Sequence, residues 1–177
     1  VNVPHPLAAP DVAVPIRVRY SETDAMGVAY HAQYLVWFEL GRTEWIRTHA
    51  VPYAEFEARG LLLPLTDARV SYLQAARYDE PLVVRARPVA FGPLRLAFFY
   101  TVERPDGGRI AEGETHHAWV DRSFRPRPLK KAWPEMYARL ATLLNPGHDR
   151  RDAKRRGADR PGDEAPAEGF PPPTAYA

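Results

Sequence analysis

Apolar and polar positions change period several times along the chain, and each change marks an element. Ile16-Arg17-Val18-Arg19-Tyr20 alternates apolar and charged residues, which predicts a strand with one wet face. Ser21 to Ala29, containing Gly27, reads as a turn. From about His31 to His49 the period becomes helical: Tyr34, Trp37, Phe38, Gly41 and Trp45 share one face, and Glu39, Arg42 and Glu44 serve the wetter side. Glycine inside a helix costs about 1 kcal/mol against alanine, so Gly41 predicts close packing of that helix on a sheet. Pro52 breaks the pattern, and Tyr53 to Arg59 reads as a short helix closed by Gly60.

Strand patterns take over after Leu61. Thr66, Ala68, Val70 and Tyr72 alternate with Asp67, Arg69 and Ser71. Leu82 to Val89 is Val-rich, with Pro81 before it and Pro88 near its end, positions expected at a sheet edge. Leu94, Leu96, Phe98, Tyr100 and Val102 form the cleanest alternation. Arg104-Pro105-Asp106-Gly107-Gly108 supplies hairpin chemistry before a return strand from about Arg109 to Asp121, and Trp133 to Leu144 reads as a closing helix. Strands joined by short turns imply a largely antiparallel sheet whose apolar face the long early helix covers, an α+β domain. The expected organisation is an irregular lead over 1–14, a domain over 15–144 and a disordered tail over 145–177, where mixed charge, Gly and Pro leave only Phe170 and Tyr176 as large apolar groups.

Composition narrows the chemistry. The 177 residues include no cysteine, which excludes disulfides, Cys-rich zinc sites and a thiol nucleophile. The formal charge of +2 is too small to argue for nucleic acid. No run approaches the roughly 20 apolar residues of a membrane span, and the N-terminus does not read as a signal peptide, so a cytoplasmic location without membrane insertion is expected. The 19 prolines, about twice the usual share of about 5%, cluster at both ends. Ser21, Ser71 and Ser123 lie in no Gly-x-Ser-x-Gly setting, and no phosphate loop or dinucleotide fingerprint is present. His116 and His117 are adjacent on a strand and should face opposite ways, poor geometry for a shared metal; no metal or other cofactor is expected.

The chemistry concentrates in Glu22-Thr23-Asp24-Ala25-Met26-Gly27-Val28-Ala29-Tyr30-His31-Ala32-Gln33-Tyr34. It places a carboxylate in a turn after a strand, then a Gly loop, then the first turn of a long helix. Backbone N–H groups in that turn have no partner within the helix and carry the positive end of its dipole, so they suit a developing oxyanion. Asp24 would stand beside a carbonyl bound there. Taken locally, Asp before a Gly-containing turn is more often a turn former or helix cap, and His31 more often a capping or packing residue.

The stretch Arg19-Tyr20-x-Glu22-Thr23-Asp24-Ala25-Met26-Gly27-Val28-x-Tyr30-His31-Ala32-x-Tyr34-Leu35-x-Trp37-Phe38-Glu39-x-x-Arg42-Thr43-Glu44-Trp45 resembles the signature of the 4-hydroxybenzoyl-CoA thioesterase family. Within it, the resemblance is closest to the acyl-CoA thioesterase branch associated with the Tol–Pal cell-envelope system. The likeness continues through Val70-Ser71-Tyr72-Leu73 to Ala76-Arg77-Tyr78-Asp79-Glu80, and into Val120-Asp121 with its basic exit, covering about residues 14 to 140. It implies a hot-dog fold, a five-stranded antiparallel sheet wrapped around a long helix, paired into homodimers or homotetramers with active sites at the dimer interface.

It also implies hydrolysis of an acyl-CoA, with Asp24 as catalytic carboxylate and the backbone N–H at His31 polarising the thioester carbonyl. Tyr30 and Tyr34 would line the site, with Met26, Gly27 and Val28 as further substrate contacts. Gln33 departs from the family's usual Asn. Arg125, Arg127 and Lys130, within a cluster that includes Arg122 and Lys131, are candidates for the CoA phosphates, against the plainer reading of a solvated basic loop. A non-catalytic module binding an acyl thioester or a partner protein is the alternative from another class, and acyl carrier protein is an alternative carrier.

Overall fold

The computed structural model describes residues 9–144. The expected tail over 145–177 and the first eight residues of the expected lead lie outside the described residues. In chain order the elements are β1 (Val12–Arg17), a 3-10 turn (Tyr20–Glu22), α1 (Gln33–His49), α2 (Tyr53–Ala58), β2 (Leu65–Tyr72), β3 (Pro81–Phe91), β4 (Arg95–Glu103), β5 (Arg109–Ala118), α3 (Leu129–Ala132) and α4 (Pro134–Leu144). The strands form one antiparallel sheet of order β1-β3-β4-β5-β2.

Helix α1 lies across one face of this sheet, burying Tyr34, Trp37, Phe38, Gly41, Trp45 and Ile46. Burying a large side chain stabilises by about 1.5–3 kcal/mol, so this stripe holds the helix in place. Phe38 stacks on Tyr100 with ring centroids 4.4 Å apart, and Trp45 meets Phe98 edge-on at 5.5 Å. Gly41 explains itself here: a Cβ would fall 3.0 Å from the Ala86 Cβ and 3.2 Å from Val84 Cγ1. Gly113 on β5 plays the reciprocal part, since a side chain there would collide with the Phe38 ring and the Arg69 carbonyl.

Several expectations shift. The first strand occupies Val12–Arg17 rather than Ile16 to Tyr20, so it begins inside the expected irregular lead. The inward alternation starts at Val12, and Pro15 is tolerated because, among the described residues, β1 pairs only with β3 and loses no ladder bond on its other side. Pro88 is not on an edge strand, since β3 lies between β1 and β4. It is accommodated because β1 stops pairing at Ala86 and the β4 register shifts between Pro88 and Ala90. The closing helix is divided: α3 ends at Ala132, Trp133 leaves the helical conformation (φ −150°, ψ 77°), and Pro134 opens α4 at a position suited to proline. No helix among the described residues is long and apolar enough to cross a membrane.

Candidate active site

Residues 23 to 29 close a small loop on themselves. Thr23 bridges Ala29, the Asp24 N–H donates to the Val28 carbonyl at 2.9 Å, and the Gly27 N–H returns to the Asp24 carbonyl at 2.9 Å. Gly27 adopts φ 72°, a conformation in which a side chain is strained. The loop is fastened outside itself as well, by Ala29 N–H to the Ala76 carbonyl and Tyr30 N–H to the Glu22 carbonyl, both 2.8 Å. Within it, Asp24 Oδ1 accepts from the Met26 N–H at 2.8 Å. Asp24 is therefore the turn former that local chemistry favours, and this bond also fixes where its carboxylate points.

The chain then enters α1. His31 and Ala32 form a turn, and the helix proper starts at Gln33, two residues later than expected, with Ala32 as an N-cap lacking a side-chain bond. Among the described residues, the His31 and Ala32 N–H groups donate to no backbone carbonyl. This is a helix mouth with free donors. Gln33 turns aside: its amide donates to Glu22 Oε1 at 3.1 Å, as does the Trp37 indole at 3.4 Å.

Loop and helix mouth form one side of a cavity of about 310 Å³, lined by Asp24, Met26, Val28, Ala29, His31 and Tyr34. Tyr72, Leu73, Gln74 and Ala75 form the facing side. The walls are mainly apolar side chains with a carboxylate and two phenols among them, the composition of a site for a largely apolar ligand. Burial raises the pKa of Tyr34 and, more simply, that of Tyr72, so both hydroxyls are protonated donors at neutral pH.

The facing wall is pinned from behind by Arg104. It donates to Glu80 Oε1 at 2.5 Å, to Gln74 Oε1 at 2.5 Å and to the Ala75 carbonyl at 3.2 Å. Leu73 and Gln74 N–H groups both donate to the Ile110 carbonyl.

Of the residues singled out from sequence, Asp24, His31, Met26, Val28 and Tyr34 meet around this cavity. Gly27 shapes the loop without lining it, and Tyr30 packs at a tilt against the His31 ring, centroids 4.2 Å apart, instead. Arg125, Arg127 and Lys130 are not in its wall. Arg127 donates to the Gly60 carbonyl at 3.0 Å, and Lys130 lies 5.8 Å from the Tyr137 ring centre. Their loop is organised by Asp121, whose Oδ1 accepts from the Ser123 and Arg125 N–H groups; the backbone bond from Arg125 is the main reason its pKa is lowered. The Tyr72–Ala75 wall was not assigned from sequence. Its signals were the alternation that gave Tyr72 a face and the family likeness running through Tyr72 and Leu73, and neither placed this segment at the mouth of α1.

A five-stranded antiparallel sheet around a long helix, with a carboxylate beside the helix mouth, defines a hot-dog domain of the thioesterase kind. Residues 18–141 match the family described as the thioesterase-like superfamily, and the chain belongs to it. It is 37% identical to the YneP protein of Bacillus subtilis (strain 168) over 123 residues, 69% of this chain and 89% of that protein. It is 30% identical to the acyl-CoA thioester hydrolase YbgC of Escherichia coli O6:H1 over 119 residues, 67% of this chain and 89% of that protein. Among solved structures, the DHNA-CoA thioesterase of Staphylococcus aureus superposes with a TM-score of 0.72 at 26% identity, over 85% of this chain and 97% of that one.

Proposed function

We propose that this protein hydrolyses an acyl-CoA to the free acid and CoA, with Asp24 as the working carboxylate. The observation that carries this reading is the joint placement of Asp24 and His31 in one apolar cavity, with a helix mouth whose N–H groups are free. A thioester oxygen seated against the His31 N–H would leave its carbon open to Asp24. By one route, a carboxylate oxygen adds to that carbon, the C–S bond breaks with its electrons on sulfur, and water cleaves the resulting anhydride. By the other, Asp24 takes a proton from water, the hydroxide adds, and the tetrahedral intermediate expels the thiolate. Both need Asp24 ionised, and in both the mouth stabilises the oxyanion. The relatives described as acting on acyl-CoA thioesters support the substrate class.

A second reading has an observation of its own. The Met26 N–H bond to Asp24 is what a purely structural Asp would make, and a non-catalytic acyl-thioester module would need nothing more. Asp24→Asn separates the two. Asn can accept the same bond and preserve the loop, but it supplies neither nucleophile nor base. In a panel of acyl-CoAs followed by thiol release, kcat should fall by about 10³-fold, within the range for loss of a general base, while melting temperature and acyl-CoA affinity stay put. Near-normal turnover by this variant would leave the binding module standing.

The exposed Arg125 and Lys130 are assigned to the CoA phosphates, with Arg127 holding their loop. The working unit is assigned to a homodimer joined through β2. The first edge, β1, is blunted by Pro15, whereas β2 contains no proline and exposes Leu65 and Tyr72, with Leu73 just beyond it. Because the cavity wall continues directly from β2, a second copy there would border the site. An acyl-CoA substrate makes the cytoplasm the expected compartment.

A further inference from the structure

We propose that Tyr72, through its hydroxyl, is a positioning residue that sets the carbonyl-polarising mouth of α1. The inference rests on the hydrolase reading above and concerns the Tyr72 hydroxyl, to which that reading gives no chemical role. Tyr72 is the last residue of β2. Its hydroxyl donates to the His31 carbonyl at 2.9 Å, and its ring meets Tyr34 edge-on at 5.1 Å. Tyr34 in turn packs on Trp37 at 4.8 Å, inside the buried stripe of α1. Tyr72 thus ties the sheet edge to the helix start across the cavity both residues line.

The peptide plane makes this bond consequential. A trans peptide is rigid and its C=O and N–H point in opposite directions, so anchoring the oxygen fixes the N–H of the same plane. The Tyr30 carbonyl accepts from the Gln33 N–H at 2.8 Å, which orients the His31 N–H from within the helix. The His31 carbonyl belongs to the next plane, and Tyr72 holds it. That second anchor orients the Ala32 N–H. Two successive donors at the mouth are therefore aimed by two independent bonds, one of which comes from across the cavity. Among the described residues no backbone N–H donates to the His31 carbonyl in the helix entry, so nothing on α1 itself duplicates the second anchor.

The bond has an electrostatic effect as well. An uncovered His31 carbonyl would present lone pairs at the edge of a cavity where negative charge has to develop. The Tyr72 proton covers them, leaving the mouth a surface of donors. Donation into a carbonyl also polarises the N–H of its own amide, the cooperativity of hydrogen-bonded chains. Tyr72 holds its proton through the neutral range as any phenol does, and partial burial raises its pKa further.

Tyr72→Phe keeps the ring and removes only the hydroxyl, and Tyr72→Leu removes the ring too. In Tyr72→Phe, kcat on acyl-CoA should fall about tenfold with KM within about threefold of the parent, the pattern of a lost transition-state contribution. A spectroscopic readout stands apart from turnover: the infrared carbonyl band of a carbonyl-13C acyl-CoA bound to the Asp24→Asn protein. This band should lie below its solution frequency, and adding Tyr72→Phe should move it back part of the way. Tyr72→Leu should reproduce the band shift and raise KM in addition, through lost contact area. An unchanged kcat, a KM effect alone, or a fall in kcat with an unmoved band would overturn the proposal. Since the band reports polarisation by the mouth whether or not hydrolysis follows, a failure of Asp24→Asn to abolish turnover would count against the hydrolase reading and leave the Tyr72 result to be judged separately.

Discussion

Two histidines adjacent in sequence, His116 and His117, meet opposite fates because a strand turns them to opposite faces. His116 is exposed and lies 3.0 Å from Glu114, while His117 is 4% exposed and bonds to Thr115 through Nε2 at 2.9 Å. Thr115 is shared with the Tyr100 hydroxyl at 2.7 Å, and among the described residues His117 Nδ1 has no hydrogen-bond partner. Burial, then the charge of Arg42, lowers the His117 pKa from 6.5 to about 4. The unfolded chain therefore binds this proton more readily than the folded one. The stability held by neutral His117 is fully present above about pH 6.5 and is lost as pH falls towards 4. A shift of this size corresponds to about 3 kcal/mol. Urea midpoints measured at pH 7 and pH 4.5 should show this loss in the parent and a smaller one in His117→Phe, the comparison removing the contribution of carboxylates that titrate in the same interval. Equal losses in the two proteins would mean that His117 is not the group responsible. Asp24 makes a related point, for one carboxylate serves its own turn through Oδ1 and faces the cavity, so the structural and chemical readings of that residue are compatible.

Among the elements, α1 was the most legible. Its apolar stripe appears in the sequence at helical spacing, and Gly41 announces the close approach that Ala86 and Val84 then make. Its start was less so, because no capping side chain marks it. Edge status was the least legible property of the strands. Proline suggested that Leu82 to Val89 lay at an edge, yet β3 is internal and β1, carrying Pro15, is the edge. Which strands are neighbours depends on long-range pairing that no local pattern encodes. The other edge, β2, is mostly exposed along its length, unlike the half-buried β1, and such an edge invites a further strand. Sedimentation at micromolar concentration should give at least twice the 20.0 kDa chain mass. Leu65→Lys with Leu73→Lys should shift the protein towards monomer and lower activity at the same time. A parent that sediments as a monomer at full activity would remove the second copy from the site.

At the scale of the whole molecule, the cavity and the basic loop after β5 are distinct features of the chain. Arg127 and Arg122 bind the Gly60 and Glu57 carbonyls at the end of α2, which ties that loop to the helix layer. If the exposed Arg125 and Lys130 receive the CoA phosphates, reversing both charges should raise KM for an acyl-CoA several-fold and leave KM for the corresponding acyl-N-acetylcysteamine thioester unchanged. Equal KM values for the parent and the reversed protein on acyl-CoA would assign the loop to structure alone. The sequence by itself determined the elements and their faces, because periodicity and turn chemistry are local and a buried face needs apolar residues at fixed spacing. It also determined the Asp-Gly loop and that a helix follows it, since these are contiguous, though not the residue at which the helix begins. Only the tertiary structure decided what stands opposite them. Tyr72 to Ala75 arrive about 50 residues later in the chain, brought there by strand order and held by Arg104, and a wall assembled from distant segments leaves no periodic or local signature to read.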